Sequence, residues 1–115
     1  MMTRIFVYGT LKRGCCRNDV LMGDFVSEVI TMPNYKMYDV GGFPALVEDP
    51  NGIAIHGELW DVGDMMLSIL DMIEGVARGL YKRCIVNLSN NEKAIAYLWQ
   101  LPVNGLSECG DTWRE

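Results

Sequence analysis

The chain has 115 residues, half of them apolar, and a formal charge of −5, a size at which one domain can bury a core of its own. Its few Lys and Arg residues are scattered, which excludes the basic stripe needed to neutralise a phosphate backbone, and no apolar run is long enough to cross a bilayer. The N-terminus lacks the basic, apolar, small-residue order of a signal peptide, so the expectation is one cytoplasmic domain over residues 1–115 with no nucleic-acid and no membrane partner.

Residues 4–8 (RIFVY) read as a strand from their β-branched and aromatic content, and 12–19 as a polar loop. Two further strands are predicted over 25–32 and 35–40, with Pro33-Asn34 between them as the turn of a hairpin. A short strand over 45–48 lies between glycine and proline breaks and turns at 49–52. The segment 53–62 (IAIHGELWDV) alternates, with Ile53, Ile55 and Leu59 on one face and His56, Glu58 and Trp60 on the other. Gly57 in its middle predicts a bulge or a close backbone approach.

From Gly63 the period becomes helical. Met66, Leu67, Ile69, Leu70 and Ile73 form one apolar face, Asp64 suits an N-cap and Gly75 a stop, so a helix is predicted over 65–74. Strands over 81–88 and 93–99 follow, joined by a turn at 89–91. The sum is an α+β domain: a mixed, strongly curled β-sheet approaching a barrel, with one main helix packed on it.

Cys15, Cys16, Cys84 and Cys109 include no Cys-x-x-Cys pair and read as free thiols; His56 is the only histidine, which excludes a multi-histidine metal site. Gly9 and Gly14 stand at phosphate-loop spacing, but Cys15 and Cys16 follow where Lys and Ser/Thr would have to stand. The nucleotide reading therefore fails. What remains for "VYGTLKRG" (7–14) is either a Thr-containing turn or a strand end whose free N–H groups hold an anion or a developing oxyanion.

The second chemical stretch is "LDMIEGVARGLYKR" (70–83). Glu74 stands at the negative end of the predicted helix, which opposes its ionisation, and Asp71 one turn earlier either raises its pKa further, if the two are close, or is only a solvated neighbour. Such a carboxyl suits a general base; the plain alternative is a solvated helix-end glutamate. His56 and Glu58, on one strand face, read as an acid–base pair or as structural residues. The methionines, Trp99 and Trp113 read as packing.

These two stretches, in this order and separation, resemble the γ-glutamylcyclotransferase-like superfamily, of the AIG2-like or γ-glutamylamine cyclotransferase type and its short bacterial branch. "GGFPAL" (41–46), "HGELWDV" (56–62), Asn18 and the tail "LPVNGLSECGDTW" (101–113) are similar to further parts of that pattern, so the resemblance covers nearly the whole chain. Cys15 and Cys16 replace the polar residues usual after the loop, and Thr112 interrupts a Gly-Asp-Trp ending.

The resemblance implies a γ-glutamylcyclotransferase-like fold and a cyclotransferase that needs no cofactor and no metal. In it the α-amine of a small γ-glutamyl substrate attacks the γ-carbonyl, releasing 5-oxoproline and an amine. It makes Glu74 the catalytic base, lines the substrate loop with Tyr8, Gly9, Thr10 and Leu11, and sets Tyr81 beside base or substrate. The loop N–H groups serve either the oxyanion or the α-carboxylate. A non-catalytic module binding a γ-glutamyl metabolite or a protein is the competing reading, and the expected assembly is a monomer or a weak homodimer.

Overall fold

Strand β1 (Met2–Val7) has two apolar faces, Ile5 and Val7 on one and Phe6 on the other, and a strand of that kind belongs in the middle of a sheet. In the computed structural model, which describes residues 1–115, β1 pairs antiparallel with β5 (His56–Gly63) and parallel with β7 (Lys93–Trp99). The remaining strands of this sheet are β2 (Asp24–Ile30), which pairs with β5, and β6 (Tyr81–Asn87), which pairs with β7. The order is β2-β5-β1-β7-β6. A second sheet contains β3 (Tyr35–Asp39), β4 (Pro44–Glu48) and the two-residue strand β8 (Ser107–Glu108), in the order β4-β3-β8.

Each face of the larger sheet is buried by a different layer. Ile5, Val7, Trp60, Val62 and Tyr97 pack against Met66, Leu67 and Leu70 of helix α1 (Asp64–Ile73). Phe6, Leu59, Ala96 and Leu98 pack against Tyr35, Met37 and Leu46 of the smaller sheet, with Trp113 of the tail joining them. Leu70 is fully buried, so its truncation to alanine falls in the class that costs about 2–5 kcal/mol. No helix is long and apolar enough to cross a membrane.

Three expectations are corrected. The sheet is neither closed nor strongly curled into a barrel: β2 and β6 are its open edges and meet only at an isolated bridge between Thr31 and Leu88. Residues 25–32 and 35–40 do not form a hairpin. Pro33 cannot donate to a ladder, and the chain there crosses from one sheet to the other so that Tyr35 and Met37, both fully buried, face the larger sheet across the core. Ile53 is exposed and bridges Tyr35 instead of extending β5, while Ile55 and Leu59 of the same predicted face are fully buried.

Helix α1 starts one residue before the predicted start. Gly63, not Asp64, is its N-cap, and Asp64 sits in the first turn, where its charge still favours the helix dipole. The predicted stop at Gly75 is a left-handed residue, φ 66°. At Gly57 a Cβ would lie 2.5 Å from the Val7 carbonyl oxygen, so this glycine marks a close backbone approach.

Candidate functional site

After Val7 the chain leaves β1 and turns within a few residues, Lys12 N–H donating to the Gly9 carbonyl at 3.1 Å. A side chain at Gly9 has no room: its Cβ would stand 2.3 Å from Cγ of Pro44, at the start of β4. Two further bonds fix the loop from its far end, Arg17 N–H to Thr10 O at 2.8 Å and Asn18 Nδ2 to Leu11 O at 2.8 Å. All three bonds use loop carbonyls. The N–H groups of Gly9, Thr10 and Leu11 donate to no protein acceptor, although Thr10 and Leu11 are buried, and buried amides of that kind are normally paired.

The same loop lines a cavity of about 40 Å³ together with Glu74, Tyr81, Arg17 and Phe43. Tyr8, Gly9, Thr10, Leu11, Glu74 and Tyr81, the residues singled out from the sequence, are thus brought to one cavity. Glu74 caps the C-terminal end of α1, its N–H donating to Leu70 O at 2.8 Å. Burial pushes its carboxyl up to about 7, against an opposing pull from the Arg17 charge. Its place at the negative end of the helix acts in the same upward direction.

The tyrosines are neutral donors already in use. Tyr8 OH donates to Tyr97 O at 2.6 Å and Tyr81 OH to Pro44 O at 2.7 Å. Burial raises both phenols above their ordinary value, and the Glu74 charge raises them further. With their protons committed, the two hydroxyl oxygens keep lone pairs that can accept from an ammonium group.

Asp71 does not couple to Glu74. It accepts from Arg83 Nε at 2.8 Å and Nη2 at 2.6 Å and from Tyr97 OH at 2.7 Å, and the Arg83 bond holds its carboxyl below the usual range. Nor do His56 and Glu58 make an acid–base pair. His56 is exposed, its Nε2 3.6 Å from Asp111, whereas Glu58 is buried and accepts from Arg13 N–H at 2.9 Å, Arg13 Nε at 3.0 Å and Trp60 Nε1 at 3.2 Å. A larger groove of about 830 Å³ runs past these residues. Its one buried carboxylate is consumed by structural bonds, so the smaller cavity is the chemical candidate.

Sequence reasoning missed Arg17, which sits in the loop 12–19 without a pattern to distinguish it from other polar loop residues. It also missed Tyr97, whose β7 position reads only as core. Phe43 and Pro44 were legible in part, since "GGFPAL" stood out as an element but not as a wall of this cavity.

The chain is similar to known proteins along nearly its whole length. A family model described as Gamma-glutamyl cyclotransferase, AIG2-like, matches residues 5–115. The Gamma-glutamylcyclotransferase family protein YtfP of Escherichia coli (strain K12) is 35% identical over 115 residues, covering 94% of each chain. Gamma-glutamylaminecyclotransferase of Rattus norvegicus is 33% identical over 91 residues, 71% of this chain and 60% of its own length. In fold, the crystal structure of an AIG2-like protein from Mus musculus superposes with a TM-score of 0.84 at 24% identity, covering 96% of this chain and 87% of that one. With a match running from β1 to the tail, the chain belongs to the gamma-glutamyl cyclotransferase, AIG2-like family.

Proposed function

We propose that the protein is a γ-glutamyl cyclotransferase, converting a small γ-glutamyl amide to 5-oxoproline and a free amine. The observation that carries this reading is the pairing of Glu74, a carboxyl pushed up to about 7 by burial, with the unbonded N–H groups of Gly9, Thr10 and Leu11 around one cavity. A carboxyl at that pKa exchanges protons in both directions near neutral pH.

The substrate ammonium donates to the Tyr8 and Tyr81 oxygens and gives one proton to the Glu74 carboxylate. The free amine attacks the γ-carbonyl of its own glutamyl group, forming the ring C–N bond while the carbonyl π pair moves to oxygen. The loop N–H groups receive that oxyanion. Donors of this type contribute about 3–4 kcal/mol each where measured. Collapse of the tetrahedral centre breaks the old C–N bond as Glu74 returns its proton to the departing nitrogen; the restored carboxylate then takes the second proton from the ring nitrogen and passes it to the amine, which leaves as an ammonium ion. Held in a ring-closing conformation, the two reacting groups also gain from orientation.

Wild-type protein incubated with γ-glutamyl amino acids and γ-glutamyl amines is expected to produce 5-oxoproline, detected by mass spectrometry. Glu74→Gln keeps the size and removes the base, and a fall of about 10²–10⁴-fold is expected. Equal rates in the two proteins would remove Glu74 from the mechanism. Binding of γ-glutamyl ligands without turnover by the wild type would replace the enzyme with a binding module.

A further inference from the structure

The cavity that holds Glu74 has a single cation in its wall, Arg17. Its backbone is fixed, the N–H bonded to Thr10 O at 2.8 Å and the following Asn18 side chain bonded to Leu11 O at 2.8 Å. Its guanidinium is free. The ion pairs of the molecule use Arg4, Arg13, Lys36, His56 and Arg83 as their basic partners and leave Arg17 in none of them. Arg17 is exposed, Glu74 is half-buried, and Tyr8, Thr10, Leu11 and Tyr81 are buried, so the cation marks the outer rim and the phenols and loop mark the interior, with the carboxyl between them. It lies near enough for its charge to act on both Glu74 and Tyr81.

This layout orients a substrate. On the cyclotransferase reading, on which this inference rests, the α-ammonium must meet Glu74 and the γ-carbonyl the loop amides. Both ends of the glutamyl group are then committed to the interior. The cavity is open on the side where exposed Arg17 stands, its other walls being the buried loop and phenols, so the leaving group extends outward, past Arg17. A planar, permanently charged fork with no protein partner is suited to a carboxylate, which it can grip through two parallel bonds.

We propose that Arg17 is a specificity-determining residue that pairs with a carboxylate on the departing amine, so that γ-glutamyl amino acids are turned over in preference to γ-glutamyl amines lacking that charge. The test compares γ-glutamylglycine with γ-glutamylmethylamide, which present the same scissile bond and differ by one carboxylate on the leaving side. The wild type is expected to favour γ-glutamylglycine about tenfold in kcat/KM, equivalent to about 1.4 kcal/mol. Arg17→Ala should bring that ratio close to one, Arg17→Lys should restore part of it, and Arg17→Glu should invert it. Because the ratio compares two substrates in one protein, a general loss of stability or a changed Glu74 pKa cancels from it. An equal loss on both substrates in Arg17→Ala would overturn the proposal, since the guanidinium would then serve the glutamyl part they share. A folded wild type that forms no 5-oxoproline from either substrate would instead remove the cyclotransferase reading itself, and the proposal with it.

Discussion

A carboxyl group held near neutrality is costly to the fold that contains it, and at Glu74 the cost has a definite pH dependence. The ordinary value of 4.5 applies to the unfolded chain and about 7 to the folded one, so between these values the folded state holds a proton that the unfolded state has lost. Stability from this group is fully present below pH 4.5, declines as pH rises, and is gone above about pH 7. The gap corresponds to about 3 kcal/mol. Glu74→Gln, neutral at every pH, is therefore expected to be more stable than the wild type by about 1–3 kcal/mol at pH 8 and to show little difference at pH 4.5. Urea denaturation at the two pH values measures this directly. A variant that is inactive yet more stable is the signature of a group retained for chemistry; a variant destabilised at both pH values would mean that Glu74 serves the fold.

At the scale of elements, the position of that carboxyl depends on where α1 ends, and α1 is held to the larger sheet by more than its apolar face. Asp71 links it to β6 through Arg83 and to β7 through Tyr97 OH. Asp71→Asn loses the charge and part of the bidentate grip, and since this pair is about a third exposed on each side the expected loss is about 1 kcal/mol. The lowered Asp71 carboxyl contributes stability above its unfolded value and loses it as pH falls through its folded one. The difference between wild type and Asp71→Asn in thermal denaturation should accordingly shrink on acidification; a constant difference would assign the effect to packing.

The elements differ in how legible they were. β7 was read with its observed boundaries and α1 to within a residue, because their periodicity is set by which side chains face a core. The two sheets were not separable, because alternation in a strand reports that one face is buried and is silent about which sheet buries it. Tyr35 and Met37 would alternate identically in a hairpin with β2. Glu74 and the loop from Tyr8 to Leu11 stood out through helix-end and strand-end chemistry, reinforced by the family resemblance. Arg17 did not, since its place is set by its own N–H bonding Thr10 O and by Asn18 bonding Leu11 O, and the role of Asp71 stayed open because its partner Arg83 lies on another element.

Taken as a whole, the molecule builds its cavity where both sheets and the end of α1 converge. Tyr81 OH ties the larger sheet to Pro44 of the smaller one. The tail closes on the loop that follows β1: Lys12 Nζ donates to Trp113 O at 2.9 Å, and Glu115 accepts from Cys16 N–H at 2.7 Å and from Trp113 Nε1 at 3.2 Å. Glu115→Ala removes the acceptor of the Cys16 amide. Hydrogen exchange at that amide is expected to accelerate while amides of β1 and β5 keep their protection; unchanged exchange at Cys16 would show that the tail does not restrain the loop.

These bonds join residues about a hundred positions apart, 101 for Lys12 and Trp113 and 99 for Cys16 and Glu115. The loop after β1 is therefore fastened only once a segment about a hundred residues further along the chain has been made. β1 likewise waits for β7, a parallel pairing that local contacts cannot anticipate. Order in the loop that lines the cavity rests, on this topology, on the contacts of longest sequence separation, the ones that form late.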